Sequence, residues 1–226
     1  MKTQSKRYKE SAKQVTVDKF YPLKEAVAIL KKLPKPKFDG SVDLHFNLSV
    51  DTKKSDQMIR GTVVLPHGTG KKVRVAVFCK GEHERQAREA KADYVGAQEL
   101  MDKVAAGFLD FDCAIATPEM MKDLSKLGKV LGPRGLMPSP KTGTVTNDIS
   151  KAIQDVRRGK VEFRVDKQGG MHLSVGKISF DEAQINDNAS KVIEAVNESR
   201  PASVKGKFVK GLSITTSMNP GLRIVC

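Results

Sequence analysis

Between Val42 and Val50 apolar and polar residues alternate without a break: Val42, Leu44, Phe46, Leu48 and Val50 fall on one side, Asp43, His45, Asn47 and Ser49 on the other. Successive side chains of a strand point to opposite faces, so this segment predicts a half-buried strand. Before it, Leu23, Ala26, Val27 and Leu30 recur at helical spacing behind Pro22, with Pro34 as the stop. They predict an amphipathic helix that opens the fold. A second extended run, 59–65, ends in the turn or linker Pro66 to Gly70.

The pattern then changes. Residues 73–79 are almost continuously apolar, as in a strand buried on both faces, and a polar, helix-like segment follows at 82–92. Strand-like runs at 93–96 and 112–116 alternate with helical ones at 97–107 and 118–128, and Asn147 and Asp148 stand where they would cap a last helix. That rhythm predicts a small, mostly parallel α/β sheet. From residue 160 the first style returns, with strands expected at 160–166, 170–176 and 177–180, a long helix within 181–199, and closing strands at 206–217 and 222–226. The expected fold class is α/β with two domains: a discontinuous α+β domain built from both chain ends, and an α/β domain inserted at crossings near 66–70 and 158–160.

Composition sharpens this picture in three ways. The 226 residues suffice for two small domains, each with its own core, and no apolar run approaches the roughly 20 residues that cross a bilayer, so a soluble chain with no membrane partner is expected. Forty Lys and Arg against 26 Asp and Glu give +14, a potential that attracts polyanions. Residues 1–69 carry +7, 70–158 +4 and 159–226 +3, so the two ends, taken as one body, form the more basic part. Cys79, Cys113 and Cys226 lack C-x-x-C spacing, which suits a reducing compartment. The first residues have no apolar segment of a secretory signal and favour Lys over Arg, so the cytoplasm is the default expectation.

The stretch from Gly128 to Val145 holds four glycines, three prolines, three basic residues and no acid. Within it, 135–142 matches the phosphate-cradling pattern G-x-x-x-x-G-K-[ST] except at Pro140. A nucleotide loop works through backbone N–H groups, which proline lacks, and Pro138 removes another. A nucleotide-binding enzyme using this loop is thus the alternative reading, beside an ordered surface loop whose basic charge meets an anion or a partner surface. Cys79 and His83 are the one close pair for thiolate chemistry, but a thiol within an apolar strand is ordinarily core. His45, His67 and His172 show no ligand spacing, so neither metal nor cofactor is expected; His45 and His172 belong on polar strand faces. Nucleic-acid signals are better: Lys31, Lys32, Lys35 and Lys37 run into Phe38, Lys53, Lys54 and Arg60 follow the first strand, and Thr215 to Gly221 offers hydroxyls, Met218 and a turn. Hydroxyls and backbone groups are what shape-reading of RNA uses.

These residues carry a resemblance. Gly128 to Val145 resembles, almost letter for letter, the signature of the ribosomal protein L-one family, and residues 37–71, 160–177 and 215–224 look like its bacterial form. The resemblance implies a non-enzymatic constituent of the large ribosomal subunit that binds 23S rRNA at the base of the mobile stalk. It also implies assistance to release of deacylated exit-site tRNA, repression of its own operon mRNA, and a monomer when free, on a cytoplasmic or plastid ribosome. The implied domains are an rRNA-binding α+β domain, 1–68 with 159–226, and a Rossmann-like domain, 69–158, hinged where the chain crosses. The family's rRNA grip maps onto Lys37 and Phe38, and onto Ser217-Met218-Asn219 after Thr216, where the family reads Thr-Met-Gly. Arg164, Asp166, Lys167 and His172 match its strand and turn beside that surface, with Lys53, Lys54 and Arg60 as further basic contacts. Gly211 stands where the family has serine, so no hydroxyl contact carries over there. Lys129, Arg134 and Lys141 of the signature loop are implied to make secondary contact with rRNA or tRNA.

Overall fold

The computed structural model describes residues 5–16, 19–52, 54–204 and 206–225. They form two compact units, one from both ends of the chain (Met1–Gly70 and Val161–Cys226) and one from Lys71–Lys160. The first unit opens with α1 (Lys6–Gln14), β1 (Phe20–Tyr21), α2 (Leu23–Lys32), β2 (Ser41–Leu48) and β3 (Arg60–Val64). The second holds β4 (Val75–Phe78), α3 (Glu82–Glu89), β5 (Tyr94–Gly96), α4 (Gln98–Ala105), β6 (Cys113–Ala116), α5 (Met121–Leu124), α6 (Gly128–Leu131) and α7 (Ile149–Arg157). After it come β7 (Lys160–Arg164), β8 (Gly170–Lys177), α8 (Glu182–Glu198), β9 (Val209–Thr216) and β10 (Leu222–Ile224).

The first unit is built on a five-stranded sheet of order β1-β10-β9-β2-β8. Strand β2, whose alternation is the clearest pattern in the sequence, lies antiparallel to both β8 and β9. Its apolar side, Val42, Leu44, Phe46 and Leu48, is no more than 2% exposed. That side shares one core with Ala26, Val27 and Leu30 of α2 and Ile185, Ala189, Val192 and Val196 of α8. Burial of such side chains stabilises by about 1.5–3 kcal/mol each, which holds the sheet flat against its helices and leaves the other face to solvent. Asp181 and Gln184 start α8 with a reciprocal capping box. Asn188, fully buried on α8, accepts from His67 N (3.1 Å) and donates to the carbonyls of Gly68 (3.0 Å) and Val175 (2.8 Å), which fixes the turn after β3.

In the second unit β5, β4 and β6 form a parallel sheet. All four residues of β4 are buried because the sheet is covered on both sides. Ala76 and Phe78 pack with α4 and the segment around Leu124 and Leu131, whereas Val75 and Val77 pack with Ala87 of α3 and Ile149, Ile153 and Val156 of α7.

Four local expectations differ from the structure. Helix α1 and the short β1 precede the helix expected to open the fold. Ile178 to Phe180 forms a turn and not a strand, because Ile178 N donates to Gly40 O and both Ser179 N and Oγ donate to Asp39. The helix expected at 118–128 breaks into short 3-10 and α turns. Asp148 sits at the N-cap of α7 without a side-chain capping bond. Cys226 lies outside the described residues.

Candidate nucleic-acid interface

The uncovered face of the five-stranded sheet carries the other half of each alternating strand. One register row crosses all five strands, in the order Phe20, Arg223, Ser213, His45, His172. In the next row Asn47 lies between Gly170, which the Asp166 carboxylate covers, and Gly211, where the backbone is open. Together they line a groove of about 560 Å³. In it His45 Nδ1 lies 2.8 Å from His172 Nδ1, and His45 Nε2 lies 2.9 Å from Thr215 Oγ1. Burial, and then the neighbouring His172, lower the proton affinity of His45 below that of an ordinary imidazole, against a smaller opposing effect of Asp43.

At the end of this face where β2 begins, the structure brings together residues some 180 positions apart. Ser41 N donates to Ser217 Oγ (3.1 Å) and Ser217 N donates to Ser41 O (3.1 Å), so the turn after β9 abuts the loop carrying Lys37 and Phe38. The approach is close enough that a Cβ on Gly40 would stand 3.3 Å from Ser217 Cβ. Lys37 is exposed, Phe38 is 55% exposed and Met218 66% exposed. Met218 also has φ 68°, a left-handed conformation that costs a residue with a side chain roughly 1–2 kcal/mol. The surrounding bonds impose it. Asn219 N donates to Thr216 O, and the Asn219 amide donates to Thr216 Oγ1 (2.8 Å) and Pro34 O (3.4 Å) while accepting from Ser11 of α1 (3.1 Å). Asn219, at the position where the resemblance expects glycine, therefore turns its side chain inward. Thr216 is 3% exposed, and its hydroxyl supports the turn from within.

At the opposite end, in the turn between β7 and β8, the Asp166 carboxylate accepts from Gln168 N (2.8 Å) and Gly170 N (2.7 Å), which hold its pKa below the usual carboxylate value. Lys167 is exposed, and its carbonyl accepts from Thr52 Oγ1 (2.8 Å), tying this turn to the segment that bears exposed Lys54. Lys53 lies outside the described residues. Arg60 and Arg164 stand on the separate β3–β7 ladder, where Arg60 Nε pairs with Glu162 at 2.6 Å. Of the sequence-predicted residues of the first unit, Lys37, Phe38, Ser217 and Met218 gather at one end of the sheet face and Lys54, Asp166 and Lys167 at the other, with His172 between them. Arg60 and Arg164 stand apart on their own ladder, and Thr216 and Asn219 support the turn from within. Phe20, His45, Ser213 and Arg223 complete that face and were not singled out as binding residues. Alternation places His45 on the polar side of its strand, but only the register shows what it meets.

In the second unit Lys129, Arg134 and Lys141 are all exposed. The loop around them is closed on itself. Thr142, at the position of a metal-binding hydroxyl in a nucleotide loop, is buried and donates to Ser139 O (3.0 Å), while Ser139 N donates to Thr144 Oγ1 (2.8 Å). Leu131 is fully buried, and Leu136 and Met137 pack against the same core. Cys79 is fully buried and its pKa is pushed up to about 11, chiefly by burial, so the thiol stays protonated near neutrality. His67 lies 3.1 Å from Asp187. Among the described residues no group of three or more His, Cys, Asp or Glu could hold a metal ion, and no helix is long and apolar enough to cross a membrane.

Comparison with known proteins gives first a class, that of ribosomal proteins. The chain is 54% identical over 225 residues to the large ribosomal subunit protein uL1 of Fervidobacterium nodosum, covering 99% of this chain and 96% of that one. It is 51% identical over 225 residues to the protein of the same name from Thermosipho melanesiensis, covering 99% and 97%. Against that of Aster yellows witches'-broom phytoplasma the identity is 50% over 219 residues, covering 97% and 95%. The model of the Ribosomal protein L1p/L10e family matches residues 30–220, and the chain belongs to that family, whose members are structural and non-enzymatic.

Proposed function

We propose that this chain is a constituent of the large subunit of a cytoplasmic ribosome that grips 23S rRNA at the base of the mobile stalk through the open sheet face of its first unit. The observation that carries this reading is Met218, a large apolar side chain held in a strained backbone conformation and presented to solvent at the end of the sheet that also presents Phe38. Strain retained by a surrounding hydrogen-bond network is characteristic of functional positions. Lys37, Lys54 and Lys167 supply phosphate contacts along the face, Arg164 on the β3–β7 ladder supplies a further one, Ser217 and the turn backbone supply shape-reading contacts to 2′-hydroxyls, and Arg60 acts as part of its pair with Glu162. Residues 69–158 serve as the second domain, whose Lys129, Arg134 and Lys141 make secondary contact with rRNA or exit-site tRNA. The crossings near 66–70 and 158–160 serve as the hinge by which the stalk follows departing deacylated tRNA. The same face, on the protein free of the ribosome, binds the messenger of its own operon and represses it.

The test is the affinity of purified protein for a stalk-base rRNA fragment across a salt series, with an equal-length RNA duplex as control. The expected result is a preference on the order of a thousandfold with a modest salt slope, and a loss of about tenfold or more on Met218→Ala. Equal binding of both RNAs with a steep slope would reduce the site to a basic surface. A Met218→Ala variant within about twofold of the parent protein would remove Met218 from the grip.

A further inference from the structure

His45 and His172 meet nose to nose at the centre of the open face, and nothing in the family resemblance accounts for His45. At 2.8 Å between Nδ1 atoms, one ring donates and the other accepts, so the pair shares a single proton along that line. The surroundings choose the arrangement. Asp166, ionised and 3.9 Å from His172 Nε2, favours an N–H at that atom. His172 Nδ1 is then the acceptor, His45 Nδ1 the donor, and His45 Nε2 accepts from the Thr215 hydroxyl.

We propose that this imidazole pair is a seat for an RNA phosphodiester, and that the phosphate is taken up together with one proton. The reading rests on the RNA-binding function proposed above and adds a site to it. The incoming proton goes to His45 Nε2, the nitrogen that now accepts from Thr215. Its new N–H donates to Thr215 Oγ1, so the threonine O–H turns away from the ring and becomes a donor to a phosphate oxygen. No other bond changes. The cation gained lies in the same strand row as Arg223, with Lys210 lining the same groove, and the open backbone at Gly211 beside Asn47, where a Cβ would meet nothing within 4 Å, lets a phosphodiester approach on the side away from Asp166. Asp43 on β2 and Asp166 in the turn before β8 are the acids that face the pair, and Asp43 raises the proton affinity of His45.

The sign follows from linkage. In the protein alone, burial and the neighbouring ring keep His45 neutral at pH 7. A phosphate raises its proton affinity, so RNA binding strengthens as pH falls from the bound-state value toward the unbound one, by up to about tenfold per pH unit for one proton. The experiment is titration calorimetry of the full chain with the stalk-base fragment at pH 6.5, in two buffers of different ionisation enthalpy, whose difference in heat counts protons. A net uptake approaching about one proton is expected for the parent protein, and uptake near zero for His45→Gln and for Thr215→Val. Met218→Ala is expected to weaken binding while leaving the proton count unchanged. Tight binding of the fragment with no proton uptake, or uptake that persists in both His45→Gln and Thr215→Val, overturns this inference and leaves the RNA-binding function standing. Failure of the parent protein to prefer the fragment overturns both.

Discussion

Asn188 offers the sharpest test of how the first unit holds its shape. It is fully buried on α8, and its amide makes three bonds, to His67 N, Gly68 O and Val175 O. Asn188→Ala removes all three at once and leaves a buried backbone acceptor at Val175 with one partner fewer. A buried group stripped of its partner costs about 1–3 kcal/mol, and each of the two half-buried bonds about 1 kcal/mol. The expected loss is therefore about 3–5 kcal/mol before any cavity contribution. For a folding unit of this size that corresponds to a fall in Tm of roughly 10–15 °C. Urea unfolding followed by far-ultraviolet circular dichroism measures it. Asn188→Asp sharpens the test, because an ionised carboxylate still accepts from His67 N but faces two carbonyls. That variant is expected to be as destabilised as Asn188→Ala at pH 7 and to recover part of the loss as pH falls and the protonated carboxyl can donate. A loss below about 1 kcal/mol for Asn188→Ala would show that water replaces the amide, and that the turn after β3 does not depend on it.

Two further expectations concern the sheet face and the second unit. A Cβ at Gly211 meets nothing within 4 Å, so Gly211→Ser is expected to leave stability unchanged and, by adding a hydroxyl beside Asn47, to tighten binding of the rRNA fragment by about fivefold; weaker binding would show that RNA packs directly on that backbone. Cys79, buried and with its pKa raised to about 11, is expected to react with a thiol reagent at pH 8 far more slowly than the half-buried Cys113, and comparable rates by mass spectrometry would mean that the second unit opens readily.

Most of the framework was legible because its elements have one dominant period. Strand β2, helices α2 and α8 and the fully apolar β4 follow from spacing alone, since each buries one continuous stripe or both faces. Helix α1 escaped because it has no such stripe. Among its residues only Ser11 is buried, and it is fixed by Ser5 at its start and by the bond from Ser11 to Asn219, 208 positions away. The turn at 178–180 looked like a strand for a related reason. Its shape is set by Asp39, 140 positions earlier, and local alternation carries no trace of that contact. The candidate site divides in the same way. Phe38 and Met218 are conspicuous in the sequence as apolar residues among polar neighbours, whereas the His45–His172 contact depends on strand register between distant segments, which no local pattern encodes.

The order of the five-stranded sheet also bears on how the protein is made. Its row Phe20, Arg223, Ser213, His45, His172 draws on residues from both extremities of the chain. During synthesis the second unit has all its strands once residue 160 has left the ribosome and can fold as a unit. The first must hold β1 and β2 unpaired until β8, β9 and finally β10 arrive. The open face is therefore completed later than the sheet of the second unit. A chain interrupted anywhere before β10 would lack Arg223 and the partner strand of β1, and with them one side of the row, whereas the sheet of the second unit would be complete.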